Sequence, residues 1–144
     1  MTVPLDTPPI RRAAAEREYE GEPGAAAPIA WAGALDPRER LDFVIDLGGL
    51  LDPVNAESVD SWSVAASVEA AAAGIVIDEA APFAPALIEQ GRAMRLWVRV
   101  DPAAQGDAAF AGRGVTVEIT ASAGTTTAAA RQRFRSFLLT VRRR

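Results

Sequence analysis

The stretch LDPRERLDFVID, residues 35–46, decides the fold, because it contains the first clear strand of the chain. An Asp-Pro pair at 36–37 predicts a turn, since proline presets φ and aspartate can bond its own backbone. Apolar and acidic residues then alternate over Leu41–Asp46, and such side chains lie on opposite faces of a sheet. We therefore expect one face to pack inward and the other to carry Asp42 and Asp46 to solvent, as in an antiparallel sheet.

Further strand signals recur to the end of the chain, separated by turn residues and without a long helix. They cover residues 58–65, 74–78, 93–100, 115–121 and about 130–141. The sequence leaves open whether residues 29–35 form a seventh strand. Several short strands with turn signals predict an all-β antiparallel sandwich.

The core of this sandwich can be predicted from the inward-facing positions of the strands. A tryptophan on an early strand of a sandwich is commonly a core residue, and we interpret Trp62 in this way. The side chains that we expect to be buried together between two sheets are Phe43, Ile45, Trp62, Leu96, Val98 and Val117.

Residues 1–34 differ from the rest of the chain, because they hold few large apolar residues and are interrupted at 7–9 and 21–24 by proline and glycine. We predict an extended N-terminal arm over 1–34 and a sandwich over 35–144. By composition the arm is expected to be disordered alone and to become ordered by docking on another subunit. Its predicted partner-binding anchors are Ile10, Tyr19, Ile29 and Trp31.

The composition excludes several kinds of catalytic site. The chain has 144 residues with neither cysteine nor histidine, and all its basic residues are arginine. A thiol nucleophile, a disulfide framework, a Cys/His metal site and a histidine base are therefore excluded. We expect no enzyme activity, no cofactor and no metal. No run reaches the roughly 18 apolar residues of a membrane span, so we expect no membrane partner either.

The charge is distributed unevenly along the chain. Residues 1–90 hold 16 acidic and 5 basic groups, whereas residues 91–144 hold 3 acidic and 10 basic groups. This asymmetry suggests a dipolar surface that favours packing between copies, although solvated strand faces explain most single charges. Arginines near the C-terminal end are too few in a net acidic chain to predict nucleic acid as a partner.

Strand 93–100, with the sequence AMRLWVRV, carries the candidate binding residues of the domain. Arg95, Trp97 and Arg99 share one face of this strand. They form either a stacked cation–π ladder or a partner-binding surface, because arginine and tryptophan are enriched at interface hot spots.

The clustered aspartates between residues 36 and 60 raise two further kinds of site, a calcium site and a glycoside-hydrolysing site. Calcium binding needs six to eight oxygen ligands on a shaped loop, and no stretch here has that spacing. A carboxylate pair could hydrolyse a glycoside, but the short chain shows no aromatic cleft. We interpret these aspartates as solvated turn and strand residues.

From residue 34 onward the chain resembles a family of small bacteriophage virion proteins, the fibre–tail adaptor-like proteins. The resemblance rests on LDPRERLDFVIDLGGLLDPVNAESVDSWSV, residues 35–64, with an acidic D-P turn, L-D-F-V-I-D and S-W-S-V. The later blocks MRLWVRV, GVTVEITASAG and RFRSFLLTVR are also similar. It covers about residues 34–143 and implies an immunoglobulin-like sandwich.

The resemblance implies a structural virion protein of a tailed phage or phage-like particle, assembled in the host cytoplasm. It would act as an adaptor at the tail or head–tail region. Its partners would be copies of itself, in a ring or other homo-oligomer, and other tail, neck or fibre proteins. The alternative from another class is a free-standing carbohydrate- or protein-binding sandwich module that presents Trp97.

Overall fold

The two strands with the clearest alternation pair with each other at the centre of one sheet. In the computed structural model, which describes residues 7–15, 28–51, 59–125 and 132–144, Leu41–Asp46 and Ala93–Val100 are strands β3 and β7. They run antiparallel, with Phe43 opposite Leu96. Both strands have the bounds that the sequence predicts, because alternation over six to eight residues is a local property of the chain.

The first sheet has the order β1-β3-β7-β5, and β6 also pairs with β7. The remaining strands of this sheet are β1 (Arg12–Ala14), β5 (Ile75–Ile77) and β6 (Ala86–Ile88). Strand β1 is parallel to β3, whereas the other neighbours are antiparallel.

The second sheet has the order β2-β9-β8-β4. Its strands are β2 (Ile29–Ala30), β4 (Val59–Ala66), β8 (Val115–Thr125) and β9 (Gln132–Val141). Strand β2 runs parallel to β9, and the other neighbours are antiparallel. A short helix α1, Val68–Ala72, follows β4; Ser67 caps it by accepting from the Ala70 amide at 3.1 Å.

This strand order confirms an all-β, immunoglobulin-like sandwich. In that arrangement the second and fifth strands are neighbours in one sheet, and the third, sixth and seventh form the other. Here β3 and β7 are the second and fifth strands, and β4, β8 and β9 are the third, sixth and seventh. The first strand is divided between the two sheets as β1 and β2. The two parallel pairs arise from that division, so the sheets are mixed.

The core lies between the sheets and agrees with the sequence for five of the six predicted residues. Phe43, Ile45, Leu96, Val98 and Val117 are buried. Trp62 is only half-buried against the core, because β4 is an edge strand. The aromatic at the centre is Trp31 instead, with 3% of its surface exposed.

The described parts of the predicted arm belong to the sandwich, which corrects the boundary at residue 34 for them. Within residues 7–15 and 28–34, β1 joins the first sheet and β2 joins the second. The surface that orders these segments is the chain's own β3 and β9. Strand β2 lies where the sequence left a seventh strand open, near residues 29–35. Strand β1 was not predicted, because an edge strand that binds through backbone hydrogen bonds needs no apolar period of its own.

Asp42 corrects the expectation of a fully wet outer face on β3. Its side chain is buried, with 6% of the residue exposed, and it accepts hydrogen bonds from the hydroxyl of Thr7 and the guanidinium of Arg11. The chain segment 7–15 covers this part of the face. Alternation identifies two faces of a strand but does not say what covers the second one.

Two details complete the strands. The register of β9 with β8 is unbroken over the described part of β9. Phe134 therefore lies on the outer face and is exposed, whereas Arg135 is buried on the inner side. The connection before β7 contains the short strand β6, which is followed by a 3-10 turn at Glu89–Gly91.

Candidate interaction site

The outer face of the first sheet brings together the three residues predicted on β7. Arg95, Trp97 and Arg99 are half-buried and alternate with buried apolar residues along the strand. Strand β7 is paired on both sides, by β3 and by β5 and β6. The three side chains are therefore presented by the most firmly held strand of the sheet.

Asp78 connects Arg99 to a second arginine. One carboxylate oxygen accepts from Nε of Arg99 at 2.8 Å, and the other accepts from Nε of Arg40 at 2.8 Å. The Asp78 amide also donates to the Trp97 carbonyl at 3.0 Å. Since Asp78 itself is buried, these bonds satisfy a carboxylate that would otherwise be costly to bury.

Phe83 covers one side of Trp97. The two rings meet edge to face at 5.2 Å and 73°, and the Arg40 guanidinium lies 4.1 Å from the centre of the Phe83 ring. Edge-to-face rings and cation–π contacts both add to the burial of such groups. We call Arg40, Asp78, Phe83, Trp97 and Arg99 together the Asp78 network.

Arg95 lies beside this network but is not part of it. Its guanidinium is 6.0 Å from the Trp97 ring centre, at the outer limit of a cation–π contact. Within residues 7–15, 28–51, 59–125 and 132–144, no carboxylate pairs with it. Its neighbours on the adjacent strands are Val44 and Ala86, which bear no charge. Among the described residues of this face, Arg95 thus lacks a carboxylate partner, whereas Arg99 binds Asp78.

Asp42 lies at the opposite border of this outer face of the first sheet. It lies across from Trp97 in the β3–β7 register, and Nη2 of Arg11 reaches its carboxylate at 3.1 Å. Nε of Arg11 also donates to the Asp42 carbonyl at 2.8 Å. This clamp fixes the N-terminal segment along the border of the candidate site.

Asp36 is a third buried carboxylate that binds arginine. It accepts from the amide, Nε and Nη2 of Arg38 and from the amide of Arg144, at 2.9 to 3.0 Å. The side-chain hydrogen bonds from Arg38, followed by the amide of Arg144, hold the pKa of Asp36 well below its usual range. All three buried aspartates are therefore engaged in holding chain segments together.

The predicted anchors of the arm do not join this face. Trp31 is buried in the core, which corrects its assignment to a partner surface, and Ile29 is half-buried against the core. Ile10 is exposed, in the turn before β1. Tyr19 lies outside the described residues.

Sequence reasoning missed Arg40, Asp78 and Phe83. Asp78 follows a strand directly, and Phe83 lies in a proline-rich connection that carries no period. An isolated aromatic in such a loop was the only signal that the loop packs on the sheet. Which strand face it covers depends on tertiary contacts.

Two observations complete the description of the site. In the part of the chain that the structure describes, no group of three or more acidic, histidine or cysteine side chains is placed to hold a metal. Among those residues, no helix has the length and apolar character needed to cross a membrane.

Comparisons with known proteins give one partial similarity. No protein-family profile and no curated protein matches the chain. A crystal structure of a mutant SrpA adhesin from Streptococcus sanguinis is similar with 16% identity and a TM-score of 0.43, over 83% of this chain and 56% of that chain. The chain thus spans little more than half the length of that adhesin chain.

Proposed function

We propose that the chain is a structural virion protein of a tailed phage or phage-like particle, an adaptor at the tail or head–tail region. It docks neighbouring subunits or fibres through the outer face of the first sheet. The observation that carries the docking role is the Arg95–Trp97 pair, a guanidinium without a carboxylate partner in the described structure beside a half-buried ring. The phage context is supported by the sequence resemblance over residues 34–143.

The rigidity of this face supports a docking role. The Asp78 network holds Trp97 and Arg99 in place before any partner binds. Side chains that are already ordered lose less conformational entropy on association. Arginine and tryptophan supply a planar donor and a large apolar surface, which are the groups that dominate binding energy at interfaces.

The engagement of the buried carboxylates supports a structural rather than a catalytic role. Asp36, Asp42 and Asp78 each accept hydrogen bonds from arginine. A general acid at neutral pH needs a raised pKa, whereas the pKa of Asp36 is lowered. Asp36 is therefore held in its charged, arginine-bound form.

The proposed partners are copies of the chain and neighbouring tail, neck or fibre proteins, in a particle assembled in the host cytoplasm. Arg95 selects a partner with a carboxylate near its contact surface. The acidic first part of the chain, with 16 acidic groups in residues 1–90, offers such carboxylates on a second copy.

Labelling of particles tests the proposal. Antibodies against the purified chain should label one end of the tail in immunogold images of particles from cells that encode it. Recovery of the chain only outside particles would contradict the proposal.

A charge reversal tests the docking face. Arg95→Glu should lower incorporation into particles by roughly tenfold or more, since a hot-spot residue is worth about 2 kcal/mol. The matched control is Arg113→Glu, an exposed arginine in the loop before β8, which should incorporate normally. Equal incorporation of both variants would exclude this face as the docking surface.

The carbohydrate-binding alternative depends on Trp97 presenting a free ring face. Phe83 already packs against that ring, edge to face, with the ring centres 5.2 Å apart. Sugar binding that Trp97→Ala abolishes, by a chain that does not enter particles, would favour the alternative over the adaptor role.

A further inference from the structure

Among the residues that the structure describes, none pairs with the outer row of backbone groups of β4, at the edge of the second sheet. It pairs with β8 on one side and ends the strand order on the other. The amide of Ser67 donates to the Glu118 carbonyl at 3.0 Å, which shows which residues point toward β8. Because the direction of backbone groups alternates, Ser63 and Ala65 also face β8, and Trp62, Val64 and Ala66 face outward.

The unpaired row is accompanied by a row of half-buried apolar side chains. Trp62, Val64 and Ala66 point to the inner side of the sandwich and pack only partly against the core. Ser63 and Ala65 lie on the outer side. Over residues 61–66 the strand contains no charge and no proline, which are the usual devices that keep an edge from pairing.

The row is complementary to itself in one antiparallel register. With Val64 opposite Val64 of a second copy, Trp62 faces Ala66 of that copy, and Ala66 faces Trp62. The largest side chain of the row thus meets the smallest. All three pairs are of the hydrogen-bonded kind and together form about six N–H···O=C bonds.

The nearest charge does not oppose this register. Asp60 is the one acidic residue of β4, at its first end, beside the register shift between Val59 and Ser61. In the antiparallel arrangement Asp60 of one copy lies at the far end of the pair from Asp60 of the other. At about 3.3 Å per residue the two carboxylates are separated by roughly 26 Å, well beyond a Debye length.

We propose that β4 is a homodimer interface, in which two copies join their second sheets antiparallel about a twofold axis at Val64. Such a contact is isologous and closed, so it links two copies and no more. It covers Trp62 and satisfies the free row of backbone groups. This proposal is argued from the edge of β4 alone and does not depend on a role in a phage particle.

A disulfide test fixes the register, because the chain has no cysteine of its own. Val64→Cys places two sulfurs on the twofold axis, with Cα atoms about 5.5 Å apart, within disulfide range. The matched control is Ala66→Cys on the same row, whose Cα atoms would lie roughly 14 Å apart. Under mild oxidation we expect a covalent dimer of Val64→Cys and a monomer of Ala66→Cys. Cross-linking of both variants alike, or of neither, overturns the proposal.

Amide exchange of the unmodified chain provides an independent test. As protein concentration rises from micromolar to millimolar, the amides of Trp62, Val64 and Ala66 should gain protection in step with dimer mass in sedimentation. The amides of Ser63 and Ala65 should be protected at every concentration, since β8 already binds them. A chain that stays monomeric throughout, or a dimer that protects other amides, overturns the proposal.

Discussion

The indole Nε1 of Trp31 donates a hydrogen bond to the main-chain carbonyl of Val44 at 3.1 Å. The ring lies between the two sheets, with its centre 5.3 Å from Phe43 of the first sheet and 5.3 Å from Phe137 of the second. The Trp31 amide also donates to the Leu138 carbonyl at 3.1 Å. One residue from the N-terminal segment therefore joins both layers of the core.

Replacing this ring should destabilise the fold more than replacing the other early tryptophan. Trp31→Ala should lower the free energy of unfolding by about 3–5 kcal/mol. Trp62→Ala should cost less, because Trp62 is only half-buried. Urea unfolding of both variants measures the difference. An equal or larger loss for Trp62→Ala would contradict the central place of Trp31.

Truncation should show where the folded unit begins. A chain that starts at Pro28 keeps β2 and Trp31 and should unfold cooperatively. A chain that starts at Ala34 lacks both, and should lose at least the roughly 3–5 kcal/mol of a buried tryptophan. Circular dichroism with urea titration compares the two. If both chains are equally stable, residues 28–33 are a dispensable arm after all.

A single methyl group at Gly49 should loosen the N-terminal segment. A Cβ there would lie 2.6 Å from the main-chain oxygen of Ala15, which cannot move aside without the strand. Gly49→Ala should cost about 1–3 kcal/mol and speed tryptic cleavage after Arg11 and Arg12. The control is Gly106→Ala, whose Cβ meets nothing within 4 Å. Unchanged cleavage in Gly49→Ala would show that segment 7–15 is held elsewhere.

Asp36 should contribute to stability at neutral pH and lose that contribution in acid. Its pKa is lowered in the folded state, so the charged form is favoured by folding. The contribution is complete above the ordinary aspartate pKa of about 4 and falls as the pH drops below it. The stability difference between wild type and Asp36→Asn should therefore be constant from about pH 5 to 8 and shrink below about pH 4.

Urea titrations across this pH range measure that difference. The control is Asp60→Asn, an exposed aspartate on β4, whose effect should stay within about 0.5 kcal/mol. A difference for Asp36→Asn that is unchanged in acid would show that its bonds with Arg38 and Arg144 do not favour the charged form.

Local alternation was sufficient to predict strands with long, regular patterns. Leu41–Asp46 and Ala93–Val100 were predicted with their observed bounds, and Arg95, Trp97 and Arg99 were placed on one face. Patterns without a period were not sufficient. Arg12–Ala14 lies in a run of helix formers, yet pairing with β3 makes it a strand. Tertiary hydrogen bonds outweigh a propensity of a few tenths of a kcal/mol per residue.

The amino-acid sequence by itself determined the class of the fold, the central strands and the absence of cysteine and histidine chemistry. Only the tertiary structure decided what covers each face: that Trp31 fills the core, that Arg11 and Thr7 bind Asp42, and that Phe83 packs on Trp97. The direction of side chains along a strand repeats every two residues and is therefore determined by the local sequence. The group that meets a side chain across the fold can be 31 or more residues away, as for Arg11 and Asp42, and depends on how the whole chain closes.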